Sequence, residues 1–264
     1  MPLFDAHLHL QDERLGNSRK VASEMKQAGV EMAVIDATRQ SDWNEVHKLI
    51  AWSMGEEAPE LLPAYGIHPW QAHTVSEGWL DDLQDYLATH PHSSIGEIGL
   101  DTWIDDPDLE VQRPVFRAQL ELAARLSKTT SIHCLKAWGP LMEELKACPP
   151  TAPFLMHSYG GSIEFANELL DLGAYFSFSG YFLQPRKAAV VEVFKQLRKD
   201  RILIETDAPD MAPPEDVIRH PMAEGLNHPA NLPAIGAALA KELGMEAEAL
   251  AELTRVNAKH CFGV

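Results

Sequence analysis

Short apolar runs alternate along the whole chain with stretches of helical spacing. Eight runs have the length and branched or aromatic content of buried strands. They are "LFDAHLHL" (3–10), "MAVIDA" (32–37), "LLPAYGIH" (61–68), "SSIGEIGLD" (93–101), "TTSIHCL" (129–135), "PFLMHS" (153–158), "AYFSFSG" (174–180) and "RILIETDA" (201–208). Between and after them, helices are predicted over 18–28, 43–54, 77–89, 109–126, 137–147, 162–172, 186–198, 230–243 and 246–260. In 109–126, Leu109, Val115, Phe116, Leu120, Leu122, Ala123 and Leu126 supply one broad apolar side.

Eight βα units in a row, with no shift of composition between them, predict one closed (β/α)8 TIM barrel, a single domain over 1–264. An open doubly wound sheet is the other arrangement. It calls for a glycine-rich phosphate turn after the first strand, and none is present. A barrel concentrates chemistry at the C-terminal ends of its strands.

The ionisable residues fall at those ends. His7 and His9 close the first run two residues apart, so both rings point to one face. His68 follows the third run, Glu97 lies in the fourth, His133 in the fifth, His157 in the sixth and Asp207 in the eighth. Each alone has a plain reading. His68 suits a loop residue bonded to backbone, His133 a polar core residue beside Cys134, His157 a strand-end cap with Ser158, and Asp207 a turn aspartate. At equivalent ends of six strands they surround one pocket, and imidazole with carboxylate is the usual donor set for a divalent ion.

Glu97 is the sharpest of these signals. It interrupts an apolar run, between Gly96 and Gly99, where an unpaired carboxylate costs several kcal/mol. Nearby cations would offset that cost. Six donors also exceed what one tetrahedral catalytic ion takes. Two divalent ions sharing Glu97 fit better, with His7, His9 and Asp207 on one and His133 and His157 on the other. Such a pair activates water and clamps the leaving oxygen in displacement at phosphorus. Asp5 and Glu205 share strand parity with His9 and Asp207 and are expected to point inward one layer lower, orienting imidazoles. Asp101 is read either as orienting the loop after the fourth strand or as capping helix 109–126.

Composition narrows the setting. With 45% hydrophobic and 23% charged residues, disordered and fibrous classes are excluded. Cys134, Cys148 and Cys261 are widely spaced and odd in number, which suits reduced thiols in the cytoplasm. No basic start precedes an apolar run, and no run approaches a membrane span of about 18 residues. A cytoplasmic protein with no membrane contact and no evident obligate protein partner is expected. The net charge of −17 works against non-specific binding to nucleic acid.

The segments "DAHLHL", "GIHP", "IGEIGLD", "QRPVFRAQLELA", "IHCLKA", "FSFSG" and "LIETDAP" resemble, in order, the TatD-type metal-dependent deoxyribonucleases of the amidohydrolase-like superfamily. Late segments "NLPAIGAALAKELG" and "LTRVNAKHCFG" extend the resemblance over nearly the whole chain. It implies a barrel with a two-metal centre that hydrolyses phosphodiester bonds of DNA. It also implies metal ligation by His7, His9, Glu97, His133, His157 and Asp207. Asp207 would accept a proton from the attacking water, Glu97 would serve with it in catalysis, and His68 would lie near the substrate phosphate.

The chain departs from that family at its loops. "TWIDDPD" follows "GLD" where an aromatic pair and a basic residue are common, "HSYGGS" replaces a cysteine-aromatic segment at the sixth strand, and Lys136 stands where arginine is common. Lys136 is read either as a substrate phosphate contact or as a solvated lysine. Trp70, Trp103 and Trp138 form either a stacking rim for bases or ordinary packing. The expected substrate is DNA, attacked from single-stranded ends. The alternative is a small phosphodiester, ester, lactone or amide at the same centre. Four imidazoles suit Zn²⁺, Mn²⁺ or Fe²⁺, whereas the resemblance implies Mg²⁺.

Overall fold

Parallel strands covered on both faces must be apolar almost throughout, and the predicted runs become such strands. The computed structural model describes residues 2–54, 58–104 and 107–264. Its strands are β1 Leu3–Leu8, β2 Val30–Asp36, β3 Glu60–Ala64, β4 Ile95–Asp101, β5 Thr130–Leu135, β6 Phe154–Met156, β7 Ala174–Ser179 and β8 Ile202–Glu205. Its α-helices are α1 Ser18–Gln27, α2 Trp43–Ser53, α3 Trp79–Ala88, α4 Leu109–Leu126, α5 Trp138–Ala147, α6 Ile163–Asp171, α7 Ala188–Gln196, α8 Leu232–Glu242 and α9 Ala247–Phe262.

Two parallel sheets, β1–β2–β3 and β4 through β8, meet at two seams. At one, Ser94 N donates to Pro63 O at 3.0 Å and Gly96 N to Tyr65 O at 3.1 Å. At the other, Asp207 N donates to His7 O at 3.0 Å and His9 N to Ala208 O at 2.8 Å. These bonds close the eight strands into the expected barrel. Phe4, Ala6, Val34, Leu62, Leu155 and Leu203 pack in its interior, and Phe262 of α9 stacks on Phe4 at 5.8 Å to plug one end. The other strand faces pack against the surrounding helices.

Several strands stop short of their apolar runs. His9, His68, His157 and Asp207 lie just beyond the paired residues of β1, β3, β6 and β8. There the backbone turns outward, and Lys136, Ser158 and Asp207 adopt left-handed φ of 56°, 41° and 53°. Such turns suit short polar side chains better than branched ones.

Helix α4 differs from its sequence reading in two respects. Its N-cap is Asp108, whose side chain accepts from Val111 N, so Asp101 does not cap it. Leu126, counted on the apolar side, is exposed. The buried side instead includes Gln112 and Gln119, each gripping main chain near the C-terminal ends of the strands. Gln119 accepts from Ile67 N at 2.8 Å and donates to Ile67 O at 3.2 Å, next to His68. Gln112 accepts from Asp101 N and donates to Asp101 O, both at 2.9 Å.

Asp5 requires a correction as well. The β1–β2 register slips between Asp5 and Leu8, because a bulge breaks the alternation. Phe4 and Ala6 therefore face the interior with the later histidines, while Asp5 shares the outer face with Leu3. Its carboxylate accepts from Thr206 N at 2.9 Å and Thr206 Oγ1 at 2.6 Å, tying β1 to the chain beyond β8. Burial pushes that carboxyl up to about 7, against the pull of the Thr206 hydrogen bonds. All three cysteines are free. Among the described residues, no helix is long and apolar enough to cross a membrane.

Candidate metal centre

Glu97 reaches the centre of the strand ends because its glycine neighbours let the backbones close in. A Cβ at Gly96 would stand 2.5 Å from Asp36 Oδ1, and one at Gly99 would stand 1.9 Å from His133 O. The carboxylate is 3% exposed and divides its oxygens between two groups of imidazoles. Oε2 lies 3.5 Å from His7 Nε2 and 3.4 Å from His9 Nε2. Asp207 Oδ1 lies 3.6 and 3.5 Å from those same nitrogens. Oε1 lies 2.8 Å from His157 Nε2, 3.1 Å from His133 Nδ1 and 3.3 Å from His68 Nε2.

The outer nitrogen of each ring determines what its inner nitrogen offers. His9 Nδ1 is 2.7 Å from Asp36 O, a carbonyl that only accepts, so Nδ1 carries the hydrogen and Nε2 faces inward bare. His133 Nε2 donates to Asp101 Oδ2 at 3.0 Å, leaving Nδ1 bare. His7 Nδ1 has Ser131 Oγ at 2.9 Å and Asp36 Oδ2 at 3.1 Å. The latter is close but off a hydrogen-bonding axis, since Asp36 Oδ2 has no hydrogen-bond partner. Its charge still favours the hydrogen on Nδ1. His157 turns Nδ1 toward Glu205 Oε1 at 3.6 Å, longer than a hydrogen bond. His68 is the reverse case. Its Nδ1 accepts from Trp70 N at 3.1 Å, so Nε2 carries the hydrogen and points inward as a donor.

The inward lone pairs of His7, His9 and His133, the inward-facing Nε2 of His157 and two carboxylates suit divalent ions. Donors about 2.1 Å from a tetrahedral ion stand about 3.4 Å apart, close to the spacing among His7, His9, Glu97 and Asp207. His7 Nε2 is buried without a hydrogen-bond partner, an orphan that a cation would satisfy. The donors of His7, His9 and Asp207 form one cluster, those of His7, Glu97 and His157 another, and those of His68, Glu97 and His133 a third.

Without a cation the cluster holds protons instead. Burial pushes Glu97 up, but the surrounding imidazoles of His68, His157 and His133 outweigh it and hold it well below the usual range. Burial lowers His157, and His7 adds to that, yet Glu97 and Glu205 carry it up to about 10. His68 alone of these rings is lowered, chiefly by burial, in keeping with a neutral donor.

The centre lies in an open cleft of ≈ 1110 Å³. Trp70, Trp103, Lys136 and Trp138 line it. Trp138 is largely committed to packing, its ring stacked on Phe165 at 5.7 Å and set edge-on to Tyr159 at 5.2 Å. On the other side, Arg14 is paired with Asp12 and Asp210, and Arg39 with Asp42.

The family model for TatD-related DNases matches residues 4–263. The chain belongs to the TatD-related DNase family. It is thus a metal-dependent hydrolase acting on ester bonds. It is similar to the uncharacterized metal-dependent hydrolase YabD of Bacillus subtilis, with 30% identity over 99% of both chains. The 3'-5' ssDNA/RNA exonuclease TatD of Edwardsiella piscicida is 28% identical over 94% of both. The crystal structure of YjjV, a TatD homologue of Escherichia coli, superimposes with a TM-score of 0.87 at 26% identity, covering 99% of this chain and 98% of that one.

Within this TatD-family barrel, one carboxylate escaped the sequence reading. Asp36 ends β2 fully buried, beside His7 Nδ1 and against Gly96. Its signal was available, since "MAVIDA" ends an apolar run on an acid much as "LIETDA" does. Glu205 is engaged by hydroxyl and backbone groups, accepting from Ser158 N at 2.8 Å and also from the hydroxyls of Ser158 and Ser177.

Proposed function

We propose that this TatD-family hydrolase is a two-ion phosphodiesterase that removes nucleotides from single-stranded ends of DNA. The observation that carries this reading is Glu97 dividing its two oxygens between two groups of imidazoles. His7, His9, Asp207 and Glu97 Oε2 would hold one ion, and His133, His157 and Glu97 Oε1 the other. When bound, divalent ions supply Lewis acidity and positive charge to a phosphodiester and its attacking water.

The chain's own groups do the rest. Asp207 is ionised at neutral pH: burial raises its carboxyl, but the neighbouring His9, His157 and His7 hold it below the usual range. It takes the proton as water oxygen bonds to phosphorus and the ester P–O bond breaks, the leaving alkoxide gaining a proton from solvent. His68 Nε2–H, neutral and facing the same space, donates to a phosphoryl oxygen. Lys136 at the rim adds charge toward the next phosphate. Attack at an end needs few phosphate contacts, which accommodates the −17 charge. The ssDNA/RNA exonucleases among the relatives support the same polymer class.

The test is incubation of the protein with end-labelled single-stranded oligonucleotides and Mg²⁺, Mn²⁺ or Zn²⁺. Stepwise shortening from one end, abolished by chelator, is expected. Intact oligonucleotides with metal bound, alongside turnover of small lactones, esters or amides, would place the chain with the small-molecule hydrolases instead.

A further inference from the structure

Two indoles stand on the cleft wall beside His133 with their faces largely in water, Trp70 at 50% and Trp103 at 60% exposure. One buried carboxylate holds the Trp70 indole and the Trp103 backbone. Asp101 Oδ2 accepts from Trp70 Nε1 at 2.8 Å, and Oδ1 accepts from Trp103 N at 2.6 Å. The same Oδ2 receives His133 Nε2, and Gln112 clamps the Asp101 backbone, so the Trp70 indole and the Trp103 main chain are referenced directly to the centre. Thr102 joins the loops after β4 and β5, its N donating to Leu135 O at 2.9 Å and its Oγ1 to Lys136 O at 2.8 Å. That join sets Lys136 Nζ over the Trp103 ring at 3.8 Å from its centroid.

Trp70, held by its edge, and Trp103, with Lys136 over one face, each leave aromatic surface exposed, and a flat aromatic face stacks on any nucleobase with little loss of side-chain freedom. A lysine beside it matches the phosphate that every nucleotide carries. We infer that Trp70, Trp103 and Lys136 form a subsite for an unpaired nucleobase and its phosphate, adjoining the metal-facing His133. The inference rests on the phosphodiesterase reading and adds a reason for strand choice. A paired base inside a duplex is already stacked on both faces and must be unstacked before it meets an indole.

Two single-stranded oligonucleotides of equal length and charge test it, one with ordinary bases and one abasic at its terminal nucleotides. KM for the base-bearing strand is expected to be lower by roughly 10-fold or more, the range that base–aromatic stacking supplies. Trp103→Ala and Trp70→Ala each narrow that ratio, Trp70→Phe retains most of it, and Lys136→Ala raises KM for both strands. Equal KM values in the parent protein overturn the subsite while leaving the nuclease reading in place. Hydrolysis of neither strand overturns both.

Discussion

Asp36 Oδ2 lies 3.1 Å from His7 Nδ1 in the dry interior of the barrel, with both residues wholly buried. A carboxylate behind an imidazole fixes its tautomer and strengthens its inner lone pair, typically by 10–100-fold in metal affinity. Asp36→Asn should therefore weaken the ion facing His7, His9 and Asp207 by about that factor. Competition titration against a chelator measures it, and circular dichroism checks that the barrel persists. Unchanged affinity would reduce Asp36 to a packing residue.

Gly99 should tolerate no side chain. At φ 144° its Cβ would stand 1.9 Å from the backbone oxygen of His133, which cannot swing aside. Gly99→Ala should cost about 3 kcal/mol or more in urea unfolding, from strain and a displaced β5. Gly78→Ala is the comparison, with φ 80° but nothing within 4 Å of the added Cβ. Its cost should be about 1 kcal/mol. Equal losses for the two would refute the close-approach explanation.

Acid should dissolve a second fastening remote from the centre. Glu144 of α5 is buried under Arg113 and Arg117 of α4, accepting from both at 2.7 Å. Burial raises its carboxyl, but the two arginines outweigh that and hold it below the usual range. The folded value lies below the unfolded one, so this stabilisation is present above about pH 4.3 and fades as pH falls through the folded value. The half-exposed arginines are screened by solvent, so Glu144→Gln should cost about 1 kcal/mol at pH 7. The gap from the parent should close in acid. A gap independent of pH would contradict the assignment.

The ligand candidates were legible because charges and imidazoles recur at equivalent ends of several apolar runs, a coincidence that separate plain readings do not explain. Eight such runs separated by helices also made the barrel legible. What escaped depends on neighbours rather than pattern. Asp5 lost its inward parity to a bulge that alternation alone does not reveal. Asp101 stood open between orienting the loop after β4 and capping α4 until Asp108 took the cap, and which side chains it holds, His133 and Trp70, was not legible. Gln112 and Gln119 look like ordinary helix-surface residues, yet they clamp the loops carrying Asp101 and His68. The resemblance already set His68 apart from the ligand imidazoles, and the hydrogen on its inner nitrogen gives a physical reason for that difference.

Exchange coupling between two bound Mn²⁺ ions tests most directly whether Glu97 is shared. Ions 3.5–4 Å apart through one carboxylate would interact magnetically, as separations of about that size are typical of two-metal sites. Electron paramagnetic resonance of the protein loaded with Mn²⁺ should show a coupled spectrum at two ions per chain. Glu97→Gln should abolish the coupling and lower the stoichiometry. Saturation at one ion per chain, with an isolated Mn²⁺ spectrum in the parent protein, would contradict a shared Glu97.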